Sequence, residues 1–238
     1  MLNRLAAISA ALLVAVAAPA AAMAQQSSAA PPQPAGPERL APEIEAFAAQ
    51  DRATPPERCK VVFTGSSSVR FWSTLAEDMA PIPVINRGFG GSQISDVNFY
   101  FDRVVGPYHP RAIFFYAGEN DLHAGKAGSD VVVDFERFMT LKTAKLGATP
   151  VYFISLKPSK ARWAQKTDQD AVNAKIRAMA STRADLDYVD VVPTMLQADG
   201  TPKDIFIADG LHMTSAGYAL WTAVVRPVAE TAAKTPCA

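Results

Sequence analysis

The chain has only three histidines in 238 residues, and one has a carboxylate three positions before it. Asp209 precedes His212 by three positions, in Asp209-Gly210-Leu211-His212. In a tight turn or a first helical turn, residues i and i+3 lie on the same side. The carboxylate can then accept the imidazole Nδ1–H and leave Nε2 to act as a base. His109 precedes Pro110 on the way into an apolar run and reads as a surface loop residue. His123 lies two positions after Asp121 and stays open as a second candidate base. A base needs a nucleophile. Gly65-Ser66-Ser67-Ser68 offers three hydroxyls directly after the apolar run Lys60–Thr64. Two further stretches supply hydrogen-bond donors: Asn86-Arg87-Gly88-Phe89-Gly90-Gly91 and Gly118-Glu119-Asn120-Asp121. Together these are the parts of acyl transfer by a serine nucleophile. Each has a plainer reading. The serines suit a turn and a helix N-cap, Ser68 best of the three. The glycines suit a flexible turn, and Asp121 suits a structural role on loop N–H groups.

The elements that must position these residues alternate along the chain. Short apolar runs at Lys60–Thr64, Pro83–Asn86, Arg111–Ala117, Pro150–Leu156 and Leu186–Val192 read as strands. Helices are expected over Glu43–Ala53, Val69–Met79, Ile94–Val105, Ser129–Gly147, Asp168–Thr182 and Thr214–Lys234. Buried strands alternating with helices predict an α/β fold. The expected form is a three-layer sandwich, a flavodoxin-like parallel sheet of about five strands with helices on both faces. In such sheets ligands bind beyond the carboxyl ends of the strands. The hydroxyl and donor loops follow the first three strands.

With these four stretches in order between residues 63 and 212, the chain resembles the SGNH/GDSL hydrolases, mostly esterases and lipases. The family's Gly-Asp-Ser-Leu corresponds to Gly65-Ser66-Ser67-Ser68, which makes Ser67 the implied nucleophile. Ser66 replaces the usual aspartate, so a hydroxyl must make that carboxylate's loop contacts. Gly91 matches the glycine that donates its backbone N–H. Gly118 to Asp121 matches Gly-x-Asn-Asp, with Asn120 as the oxyanion residue. Asp209 and His212 match Asp-x-x-His. The resemblance implies a Ser67/Asp209/His212 triad and an oxyanion hole of the Ser67 N–H, the Gly91 N–H and Asn120. It implies carboxylic-ester hydrolysis without a cofactor. Short acyl groups such as acetyl are expected, because no lid or long apolar insertion is visible. An acyl lipid substrate, as for a lysophospholipase or thioesterase, is the alternative. A non-catalytic carbohydrate-binding protein on the same fold is an alternative of another class. Arg70, Phe71 and Trp72 beside the serines, Arg87 and Phe89 in the glycine stretch, and Arg162 and Trp163 after the fourth strand are candidates for a rim. Arg87, Phe89 and Trp163 are the expected substrate contacts.

Other chemistries fit poorly. Lys+Arg and Asp+Glu number 23 each, so no basic excess exists to hold nucleic acid. Gln93 stands where a dinucleotide fingerprint needs its third glycine, and no G-x-S-x-G elbow occurs. No His-x₃-His or cysteine cluster suggests a metal. Residues 1–24 have the layout of a signal peptide: Arg4, an apolar run, then Ala22-Met23-Ala24. The expected organisation is a signal peptide over 1–24, a disordered Ala/Pro-rich leader over 25–42 and the hydrolase domain over 43–238. The mature protein would be secreted or periplasmic, without stable membrane insertion. Cys59 and Cys237 flank the folded unit. In an exported chain they can form one disulfide; two free thiols are the alternative.

Overall fold

A computed structural model describes residues 36–237. The signal-peptide reading and most of the leader therefore fall outside the described residues. Five strands form one parallel sheet in the order β2-β1-β3-β4-β5. They are β1 (Val61–Gly65), β2 (Val84–Gly88), β3 (Ala112–Tyr116), β4 (Val151–Ile154) and β5 (Leu186–Val189). Every residue of β1, β3 and β4 is buried, as continuous apolar runs in a doubly covered sheet require. Alternation on β3 shows the two faces. Ile113 and Phe115 point into one core, and Ala112, Phe114 and Tyr116 into the other.

The first core is covered by α1 (Ala41–Ala53), α4 (Ile94–Phe99), α5 (Phe101–Val104), α7 (Gly128–Leu146) and α8 (Lys166–Ala180). The second is covered by α2 (Ser67–Arg70), α3 (Leu75–Met79), α9 (Val192–Met195) and α10 (Ser215–Ala232). One short helix, α6 (Glu119–His123), follows β3. The helix expected over Ile94–Val105 is broken at Tyr100 into α4 and α5, and two further departures from expectation bear on the site. The helix read over Val69–Met79 breaks at Phe71–Thr74. There Asp78 accepts from the Trp72 indole (2.6 Å) and the Thr74 hydroxyl (2.7 Å). The leader read to residue 42 stops earlier, because Pro37–Leu40 is a 3₁₀ turn running into α1, and Leu40 and Ile44 are buried. Among the described residues no helix is long and apolar enough to cross a membrane.

Strand order reverses between β1 and β3, the position where open α/β sheets build their crevice. Register brings the loops level. Gly65 at the end of β1 lies beside Gly88 of β2 and Tyr116 of β3. Gly65 has φ +125°, and a Cβ there would overlap the Tyr116 carbonyl, so only glycine ends this strand.

Cys59 and Cys237 are paired as a disulfide, with Cα atoms 5.6 Å apart across 178 positions. It ties the start of β1 to the tail beyond α10. The chain-entropy model puts an upper figure of about 5 kcal/mol on so long a loop. Reduction, or Cys59→Ser with Cys237→Ser, is expected to lower the denaturant midpoint without changing the m-value by much. Two thiols that alkylate without reductant in the purified protein would remove the bridge.

Candidate active site

Ser67 opens α2, two residues after β1 ends at Gly65, with Ser66 turning the chain between them. Ser66 is the extended N-cap residue, and its N–H donates to the Tyr116 carbonyl at 2.8 Å. The N-cap place expected for Ser68 thus belongs to Ser66, because the helix starts earlier. Ser68 is buried inside it, and its carbonyl accepts from the Tyr218 hydroxyl at 2.9 Å. As first residue of the helix, Ser67 has an N–H without an intrahelical acceptor.

His212 Nε2 lies 2.8 Å from Ser67 Oγ, and His212 Nδ1 lies 2.5 Å from Asp209 Oδ2. The segment from Asp209 to His212 is a turn rather than a helix. Asp209 Oδ1 accepts the N–H groups of Leu211 and His212, both at 2.9 Å. One carboxylate oxygen shapes the turn, and the other orients the imidazole. This is why the three-residue spacing works. Burial pushes the Asp209 carboxyl up. The hydrogen bonds from the His212 ring and from the Leu211 and His212 N–H groups outweigh that and hold it down at about 2. The Phe71 ring sits edge-on to the His212 ring with centroids 4.7 Å apart.

Ser67, His212 and Phe71 line an open cleft of about 410 Å³ with Gly91, Asn120, Arg162 and Glu43. Gly91 has φ +68°, a left-handed conformation that favours glycine. Asn120 Nδ2 donates one hydrogen to the Ser92 carbonyl at 2.9 Å, which leaves its second N–H for the cleft. Behind Asn120 lies a charged network. Arg162 donates to the Glu119 carbonyl at 3.0 Å and to Asn120 Oδ1 at 3.4 Å. Burial pulls the Arg162 guanidinium below its ordinary value. Lys157, fully buried, pairs with the Glu119 carboxylate at 2.9 Å, and the Tyr116 hydroxyl donates to the same oxygen. Burial and this carboxylate push the Tyr116 hydroxyl well above its ordinary value. Asp121, also buried, accepts from Ile94 N–H (3.1 Å) and Lys126 (2.7 Å), which fixes the loop from below. His109 and His123 are both exposed, and neither lines the cleft.

The three expected substrate contacts are placed elsewhere. Arg87 lies on β2 on the same face as Ile85, so strand alternation turns it to α1. Its guanidinium donates to Asp51 and, at 2.6 Å, to the Tyr108 hydroxyl. Phe89 is fully buried in the core that holds Leu40 and Ile44. The expectation for Phe89 rests on its place between Gly88 and Gly90, which does not reveal that the ring turns inward. Trp163 is part exposed and begins a 3₁₀ turn; its neighbour Arg162 is the side chain that reaches the cleft. Of the remaining rim candidates, Arg70 and Phe71 line the cleft and Trp72 is buried. Glu43 escaped the sequence reading, because nothing in its helix pattern marks a long-range contact. A separate hollow of about 550 Å³ lies along α8 and β5. Its Arg177 already bonds Asp190 and lies 4.6 Å over the Tyr188 ring.

A serine, an imidazole and a carboxylate in series, at the switch point of a 2-1-3-4-5 sheet, define a serine-hydrolase type of site. Residues 57–220 match the GDSL-like lipase/acylhydrolase family. The chain belongs to this family and is a carboxylic ester hydrolase. Solved structures share the fold. A GDSL-like lipase from Bacteroides thetaiotaomicron is 20% identical, with 79% of this chain and 98% of that one covered and a TM-score of 0.68. A carbohydrate esterase family 3 protein from Talaromyces cellulolyticus is 18% identical, with coverage of 74% and 98% and a TM-score of 0.60. An acetylxylan esterase from Geobacillus stearothermophilus is 12% identical, with coverage of 73% and 94% and a TM-score of 0.59. No curated protein sequence matches the chain.

Proposed function

We propose that this hydrolase is an exported serine esterase for small, short-acyl esters, such as acetyl groups on a carbohydrate or aryl alcohol. The observation that carries the reading is the continuous relay from Ser67 Oγ through His212 to Asp209. Ser67 Oγ attacks the ester carbonyl while His212 Nε2 takes its proton. The negative charge on the former carbonyl oxygen meets the Ser67 N–H, the Gly91 N–H and the second Asn120 N–H. The C–O bond breaks, and the alcohol leaves with the proton from His212. Water then attacks the acyl-enzyme by the same route and frees the acid and Ser67.

Cleft chemistry supports a small, polar substrate. Glu43, Arg70 and Arg162 are charged, and Phe71 and Leu211 are the large aliphatic or aromatic side chains among the lining residues besides His212. A long acyl chain needs an extended apolar wall to leave water. Two of the structural relatives are described as an acetylxylan esterase and a carbohydrate esterase, which agrees with this choice. Export rests on the character of residues 1–24 and on the cysteine pair, which suits an oxidising compartment.

The test is hydrolysis of p-nitrophenyl acetate, butyrate and octanoate by the full mature protein. Acetate or butyrate is expected to exceed octanoate in kcat/KM by about tenfold. Preference for octanoate would favour an acyl lipid substrate. Glycan binding without turnover of any ester would favour a binding protein.

A further inference from the structure

We infer that Arg39 and Glu43, on the segment entering and opening α1, are positioning residues for the oxyanion site. They hold the Gly90–Gly91 peptide so that the Gly91 N–H stays aimed into the cleft. The inference rests on reading that N–H as an oxyanion donor.

The loop from Gly88 to Gly91 carries three glycines, so its backbone has much freedom to lose. A donor that must be preorganised cannot rest on such a loop unless something pins it. The interior pins its two ends. Phe89 N–H donates to the Gly65 carbonyl at 3.0 Å, and the Ser92 hydroxyl donates to the same oxygen at 3.0 Å. Gly90 and Gly91 lie between these tethers, and side chains from the N-terminal segment take hold of them. The Glu43 carboxylate accepts the Gly90 N–H, at 3.1 and 3.2 Å to its two oxygens. The Arg39 guanidinium donates to the Gly91 carbonyl at 3.4 Å. These two bonds bracket the one peptide unit whose N–H is Gly91's.

Both side chains are themselves anchored. Arg39 pairs with Asp96 at 3.2 and 2.5 Å, and Asp96 also accepts the Gln93 N–H at 2.8 Å where α4 begins. Glu43 accepts from Arg70 at 3.1 Å. Arg70 is the last residue of the helix that Ser67 opens. One carboxylate thus ties the nucleophile's helix to the donor loop, and fixes their spacing. Both residues precede residue 57, where the family match begins. This bracing comes from chain outside the matched region.

The test uses Glu43→Ala and Glu43→Gln in the full mature chain, with Glu45→Ala as control. Glu45 lies on the same helix, and its carboxylate meets Arg103 in solvent. For Glu43→Ala, kcat per titrated active site is expected to fall about tenfold, with KM within about twofold of wild type. Amide exchange over residues 88–92 should speed up about tenfold, with the rest of the chain unchanged. Glu43→Gln keeps an acceptor for the Gly90 N–H and should recover most of both losses. Glu45→Ala should match wild type. Unchanged exchange over 88–92 would overturn the inference, as would a raised KM at constant kcat, which would put Glu43 on the substrate. A wild type that releases no alcohol from any ester would sink the esterase reading by itself. Loop protection in Glu43→Ala would then decide whether the brace exists.

Discussion

Ser67→Ala is expected to lower kcat/KM by about 10⁴-fold or more, while Ser66→Ala and Ser68→Ala stay within about tenfold of wild type. Three adjacent hydroxyls separate cleanly in the structure. Ser67 Oγ alone meets His212, at 2.8 Å. Ser66 and Ser68 are buried at 4% and 3% exposure, which removes both from contact with an incoming ester. Nucleophile and base act as one unit, so His212→Ala should cost about as much as Ser67→Ala. The double variant should cost little more. Ser67 is only partly buried, so its loss leaves the core intact and the melting temperature near wild type. Active-site titration, kcat and thermal unfolding on the same preparations decide it. Loss of turnover in Ser66→Ala or Ser68→Ala, with Ser67→Ala still active, would move the nucleophile.

How far such an assignment was open to sequence reading depends on whether its physical signal is local. Val61-Val62-Phe63 and Ala112 to Tyr116 are apolar without a break, so buried parallel strands could be read from them directly. Asp209 and His212 are three apart, and the turn that joins them is closed by Asp209's own bonds. Ser67, Asn120 and His212 became legible by standing in order with the matching glycines. What failed to show was everything held by long-range charge. Glu43 reaches Gly90 across 47 positions and Lys157 reaches Glu119 across 38. A buried lysine looks like any surface lysine until its partner is known. Misplacing the start of the folded unit had a further cost. With Leu40 read as leader, part of the cover over Phe89 goes unseen, and Phe89 and Arg87 read as substrate contacts from their place in the glycine stretch. The structure instead uses Phe89 as core and Arg87 as a strut to Asp51. The split of the expected Val69–Met79 helix has a local cause. Its apolar spacing is helical throughout, and the break depends on where the Trp72 indole and the Thr74 hydroxyl find Asp78.

Asp209→Asn is expected to lower kcat by about 10⁴-fold with little change in KM. The direction follows from how the carboxylate divides its two oxygens. Oδ1 is committed to two backbone donors, the N–H groups of Leu211 and His212. An asparagine keeps that turn only by putting its carbonyl oxygen there, which turns its NH₂ toward His212 Nδ1. Two donors cannot face each other, so the ring proton must sit on Nε2. The imidazole then presents an N–H to Ser67 and has no lone pair to take the serine proton. Turn and fold survive; the base does not. The pH dependence follows with its sign. Folding depresses the Asp209 carboxyl to about 2 from its ordinary 3.8, so the folded state favours the ionised form. Its contribution to stability is complete above the ordinary value and is lost as pH falls through about 2. From about pH 5 upward Asp209 therefore stays charged, and any change of rate with pH there belongs to other groups. A variant that keeps a tenth of wild-type kcat at pH 7 would show that the imidazole is oriented without Asp209.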